Sequence, residues 1–192
     1  MTISFKERVR VVLIQQAQIY NDRFLNKEYL IHSCKFKYHL FYVIAAKRDN
    51  FLHLTGVSTN LKANEFFNKC LDETLTEYDF DIGDSRQKGS VRRKINALPY
   101  ALNLFNGQRI LIEENFIKNR ISCSFASSDN KCTLGFTYTR KAKPQTLLKG
   151  NELSDPILVD VIAVKNESEE LFNLVYISNE DIDLNQFPIK IK

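Results

Sequence analysis

"CTLGFTYTR", Cys132 to Arg140, decides the fold of this chain, because its spacing suits a strand and not a helix. β-Branched and aromatic residues dominate it, and residues two apart share a face: Thr133, Gly135, Thr137 and Thr139 on one, Cys132, Leu134, Phe136, Tyr138 and Arg140 on the other. The Thr-rich face is expected toward solvent, which weighs Tyr138 toward the core. Runs of the same kind surround it: "RILIEE" (109–114), "RISCSFAS" (120–127), "ILVDVIAVKN" (157–166) and "LFNLVYIS" (171–178). They are separated by "SSDNK", "KPQTLLKG" and "NESEE", and the turn signal Asn106-Gly107 precedes them all. The expectation is an antiparallel meander of about four or five strands.

Upstream the period differs. From Phe5 to about Tyr29, the positions Val9, Val12, Leu13, Gln16, Ile19, Tyr20 and Phe24 fall at three-and-four spacing after a Ser4 cap, giving one long helix or two short ones. "KFKYHLFYVIAAK" (35–47) fits a strand ending at the turn "RDN". "KANEFFNKCLDETL" (62–75) places Phe66, Phe67, Cys70, Leu71 and Leu75 on one side of a second helix. "DFDIGDSRQKGS" (79–90) has the composition of a loop, Ser90 is a candidate cap, and Pro99 should kink or split the helix "VRRKINALPYALNLF" (91–105). Helices first and strands afterwards is the pattern of an α+β domain with an antiparallel sheet. A single domain over 1–192 is expected, with a helical segment at 1–35, the main body at 36–178 and a surface tail at 179–192.

Composition narrows the classes. With 192 residues, 44% of them hydrophobic and 26% charged, the chain can bury a core without staples. The 27 Lys and Arg exceed the 23 Asp and Glu by four, a mild bias that permits an anionic partner without demanding one. Cys34, Cys70, Cys123 and Cys132 show no metal or redox spacing and are expected as reduced packing residues, although Cys123 and Cys132 are placed to face each other across a hairpin. The N-terminal apolar run is broken by Gln15 and Gln16, so neither a signal peptide nor a membrane span is expected, and a cytoplasmic location is the simplest one.

No phosphate-binding loop, dinucleotide fingerprint, nucleophile elbow or histidine pair at metal spacing occurs, so no metal and no cofactor is expected. Of the three histidines, His32 near a helix end and His39 at a strand start are satisfied by solvated or capping roles. His53 in "NFLHLTGV" (50–57) differs: Phe51, Leu52 and Leu54 anchor the backbone, while alternation sends the imidazole to the face opposite its immediate neighbours. An imidazole suits proton transfer near neutrality, and the competing reading is a packing histidine bonded to the backbone.

"NFLHLTGV", the aromatic "EFFNKCL", the basic "VRRKINAL" and the late "LGFTYTRKAKPQTLL" occur in an order that resembles a known family. It is that of the phage and mobile-element nuclease-like proteins of the barnase-EndoU-colicin-RelE group, specifically the fourth phage-associated family, and the similarity spans Phe41 to Tyr176. The resemblance implies a metal-independent ribonuclease fold with its active site on the open face of the sheet. It implies His53 as the catalytic histidine, Lys94 or Arg93 as the basic residue of the helix, and Thr146 as the hydroxyl after Pro144. Thr146 serves equally well as a turn cap.

Metal-free cleavage of RNA needs a base, an acid and cationic donors around the phosphate. Arg92, Arg93, Lys94, Arg140 and Lys143 are candidate donors, Tyr138 and Thr146 candidate hydrogen-bonding groups, and Phe136 or Tyr138 a candidate surface for a base. The expected partner is RNA, tRNA included. The alternative is a non-catalytic protein of the same fold that binds a host protein or nucleic-acid complex, its "VRRK" helix then being an interaction surface. No helix-turn-helix pair supports a DNA-binding regulator.

Overall fold

The computed structural model describes residues 3–106 and 109–192. Helix α1 (Phe5–Arg23) begins where the Ser4 hydroxyl accepts from the Glu7 amide at 2.9 Å, and it stops because Asn26 takes a left-handed φ of 57° that reverses the chain. Strand β1 (Lys27–His32) and strand β2 (Tyr42–Ile44) follow, then helices α2 (Asn50–Thr55), α3 (Ala63–Leu71) and α4 (Ser85–Ala101). The remaining strands are β3 (Leu111–Glu114), β4 (Ile117–Lys118), β5 (Ile121–Ser122), β6 (Phe125–Ser128), β7 (Cys132–Tyr138), β8 (Ala142–Lys149), β9 (Ile157–Leu158), β10 (Val161–Asn166) and β11 (Asn173–Ile177).

The α+β class stands, but the antiparallel sheet of four or five strands does not. Nine strands form one curled, mixed sheet, a half-barrel in the order β11-β10-β1-β2-β8-β7-β6-β3-β9, with β4 and β5 as a separate hairpin. Two facts account for the difference. Strand β1 pairs with β10 along its whole length, yet "KEYLIH" is buried on both faces, so its continuous apolar run extends the helical spacing of α1 instead of alternating. Strand β2 then joins β8 in parallel at Ile44 and Ala142, a crossover that no local pattern announces.

Shorter corrections share one cause, the ambiguity of brief apolar runs. The strand expected at 35–47 shrinks to three residues. "NFLHLT" is the helix α2, with Phe51, Leu54 and Thr55 buried at helical spacing and His53 outward. Asp84, not Ser90, caps α4 by accepting from the amides of Arg86 and Gln87, so the stretch expected as a loop forms its first turns. The helix continues through Pro99 to Ala101 without a split. The expected turn at Asn106-Gly107 includes Gly107, which lies outside the described residues.

One large core fills the side of the sheet that carries the helices. Val9, Leu13 and Tyr20 of α1, Phe51 and Leu54 of α2, Phe66 and Phe67 of α3, and Val91 and Leu98 of α4 pack there on Ile31, Ile44, Leu134, Phe136 and Leu147 of the sheet. Two smaller clusters cover parts of the other side. Leu30, Val161, Ala163 and Phe172 pack under the C-terminal segment, and Phe116, Cys123 and Ala126 under the β4–β5 hairpin. Cys132 belongs to the large core and Cys123 to a small cluster, so the two thiols lie on opposite faces of the sheet and do not meet. The C-terminal segment extends the sheet edge through a parallel bridge between Phe172 and Ile191, and it buries Phe187 against His32. Among the described residues no helix is long and apolar enough to cross a membrane.

Candidate functional site

Helices α2 and α4 meet at Gly56. This residue ends α2 with a left-handed φ of 78°, which glycine adopts at little cost. A Cβ there would stand 2.9 Å from Cδ of Lys94, so the lysine stem lies across the glycine. Its Nζ donates to the backbone carbonyl of His53 at 2.8 Å. That carbonyl is in the last turn of α2, where no intrahelical donor remains, and an ammonium is a natural partner for it. Burial pushes the Lys94 pKa down from its ordinary value. The His53 ring stays exposed. The structure thus joins His53 and Lys94 through the histidine's backbone, and the lysine fixes the turn that carries the imidazole.

Thr146 is elsewhere. It pairs with Gly135 across β7 and β8, and a Cβ on Gly135 would meet Cys123 Sγ at 2.6 Å and Thr146 Cγ2 at 2.8 Å. Thr146 therefore shares the face of Cys123, opposite the face that carries α2 and α4. A bulge at Gln145 shifts the register between Gly135 and Phe136, and Gln145 hydrogen-bonds Thr137 on that same outer face. Lys143, opposite Thr137, is exposed there as well. Arg140 is exposed in the β7–β8 turn. Arg92 and Arg93 are exposed on α4, where the Arg92 guanidinium lies 5.0 Å from the centre of the Phe5 ring. The candidate phosphate donors are distributed over the helical layer, the outer face and the turn. Phe136 is fully buried and presents no surface to a base.

Tyr138 belongs to a group that the sequence reading did not assemble. Its ring centre is 4.8 Å from that of His39 and 5.3 Å from that of Tyr42, and His39 and Tyr42 are 4.9 Å apart, all edge to face. Tyr42 is buried and donates to Glu114 Oε1 at 2.7 Å. Burial, then this carboxylate, push the Tyr42 pKa far up, so its phenol stays protonated. The other Glu114 oxygen accepts from the Lys37 amide at 2.8 Å and ties down the chain that carries His39. His39 is exposed, yet a solvated role does not describe it fully, because two tyrosine rings meet it edge to face. His32 is the last residue of β1, not near a helix end; its Nδ1 donates to the Leu40 carbonyl at 2.5 Å. The density of aromatics in "KFKYHLFY" was the available signal, but the contact with Tyr138 depends on the β2–β8 crossover.

Among the described residues no group of three or more His, Cys, Asp and Glu side chains gathers as metal ligands would. Helices packed on one face of a curled mixed sheet, with an exposed histidine whose backbone carbonyl is held by a lysine of α4, define an α+β architecture. A family model described as phage-Barnase-EndoU-ColicinE5/D-RelE like nuclease4 matches residues 13–186, and the chain belongs to this family of phage-associated nuclease-like proteins. No curated protein and no solved structure matches it.

Proposed function

We propose that this chain is a metal-independent endoribonuclease whose acid-base group is His53. The observation that supports this reading is the bond from Lys94 to the His53 carbonyl, which brings the motif histidine and the basic helix together across 41 residues of sequence. In the proposed reaction a base removes the proton of a ribose 2′-hydroxyl, and the 2′-oxygen forms a bond to the adjacent phosphorus. The bond from phosphorus to the 5′-oxygen breaks, and an acid protonates the departing oxygen. His53 exchanges one of these protons with the substrate. Lys94 has three N–H groups, of which one is spent on the carbonyl, leaving two to meet charge that develops on the phosphate. Thr146 faces away from this pair and is left out of the proposed catalytic set.

The test is cleavage of labelled total RNA and tRNA in EDTA by the wild type and by His53→Ala, with folding checked by circular dichroism. The reading requires cyclic phosphate or 3′-phosphate ends from the wild type and none from the variant.

A second reading is a non-catalytic protein that binds a host protein or nucleic-acid complex. What favours it is that Lys94 holds the backbone of His53 and not its ring, a role that a helix cap alone explains. Under that reading neither protein cleaves RNA.

A further inference from the structure

We infer that His39, held between Tyr42 and Tyr138, is a base-stacking subsite for single-stranded RNA, an inference that rests on the nucleic-acid reading above. Three observations carry it. The His39 ring is exposed but not free to wander, because the centres of two tyrosine rings stand within 5 Å of its own and Glu114 anchors both Tyr42 and the Lys37 backbone. A flat ring ordered before binding loses little rotamer freedom when a base stacks on it.

The surroundings suit a nucleotide. Tyr138 is half-buried beside the ring, and Arg140, two residues further on, is exposed in the β7–β8 turn, while Lys37 is exposed two residues before His39. Aromatic surface with interleaved cations is the composition that binds single strands without strict sequence preference.

His39 also lines a cleft of 590 Å³ that Asp181 and Asp183 line as well. Carboxylates repel phosphate but accept from the amino and imino N–H groups of bases. The base is therefore directed into the cleft and the phosphate toward Arg140 and solvent.

The probe is a short fluorescein-labelled single-stranded RNA of mixed sequence, 2′-O-methylated throughout so that it lacks the attacking hydroxyl, titrated in EDTA and read by fluorescence anisotropy. His39→Ala removes an exposed ring and leaves the Tyr42–Glu114 bond in place, so the fold should survive, as circular dichroism can verify. The expected result is binding by the wild type, weakening of about tenfold or more in His39→Ala, and recovery to within about threefold of wild type in His39→Phe, which keeps a stacking face. Binding by His39→Ala within about twofold of wild type, no recovery in His39→Phe, or no binding by the wild type overturns the subsite. Cleavage of unmodified RNA is scored separately. Loss of binding in His39→Ala without cleavage by any protein retains the subsite and removes the nuclease, whereas cleavage with unchanged binding does the reverse.

Discussion

The ammonium of Lys94 and the carbonyl of His53 stand 2.8 Å apart, joining α4 to the end of α2. Hydrogen bonds with one charged partner contribute about 1.5–3 kcal/mol, and solvent at this half-buried site moves the expectation toward the lower end. Lys94→Met, which keeps the stem over Gly56 but cannot donate, should lose about 1–2 kcal/mol in urea denaturation. An unchanged midpoint would show that the bond contributes nothing to stability.

Gly135 lies directly against Cys123 of the outer cluster. Gly135→Ala places a methyl group against Cys123 and Thr146 and should cost about 1–3 kcal/mol through overpacking. Adding Cys123→Ala should return part of that loss, since the sulfur is the nearest atom. Additive effects of the two changes would contradict the contact between position 135 and Cys123.

Glu28 is a buried carboxylate bonded to Lys141 and lying 3.5 Å from Lys165, its cross-strand partner on β10. Glu28→Ala leaves Lys165, itself mostly buried, with the Glu169 carbonyl as an acceptor but no carboxylate, and a loss of about 2–4 kcal/mol is expected. Lys141→Ala should cost less than about 1 kcal/mol, because that ammonium is largely in water. Thermal or urea unfolding of both variants tests the order, and equal losses would refute it.

Asp79 gives the fold an acid limit. The Lys69 ammonium bound to it, then the amide and hydroxyl of Thr76, hold its pKa at about 2, below the ordinary 3.8. Between these values the unfolded chain binds the proton and the folded one does not. The stabilisation is therefore full above about pH 4 and is lost as the pH falls through about 2. Asp79→Asn should flatten the dependence of stability on pH in that window, and a slope identical to wild type would exclude the assignment.

The parts legible in the sequence are those with strong local patterns. The threes and fours of Val9, Leu13 and Tyr20 marked α1, and alternation in "CTLGFTYTR" marked β7, with Leu134 and Phe136 correctly toward the core. Thr133 shows the limit of the same logic. It sits on the face expected toward solvent, yet it is fully buried and donates to the Gly150 carbonyl. Strand β1 escaped because burial on both faces erases alternation. Helix α2 escaped because six residues do not separate a period of two from one of three to four. The resemblance named His53 and Lys94 but left open whether they meet, and nothing in the sequence paired His39 with Tyr138. Both contacts are made by long-range packing, to which single-chain periodicity is blind.

The most direct test of the account is product analysis after the wild type and His53→Ala are each incubated with end-labelled RNA in EDTA. The account predicts 2′,3′-cyclic phosphate and 5′-hydroxyl ends from the wild type and intact RNA from a folded His53→Ala. Intact RNA from both, or equal cleavage by both, would contradict the proton-transfer role given to His53.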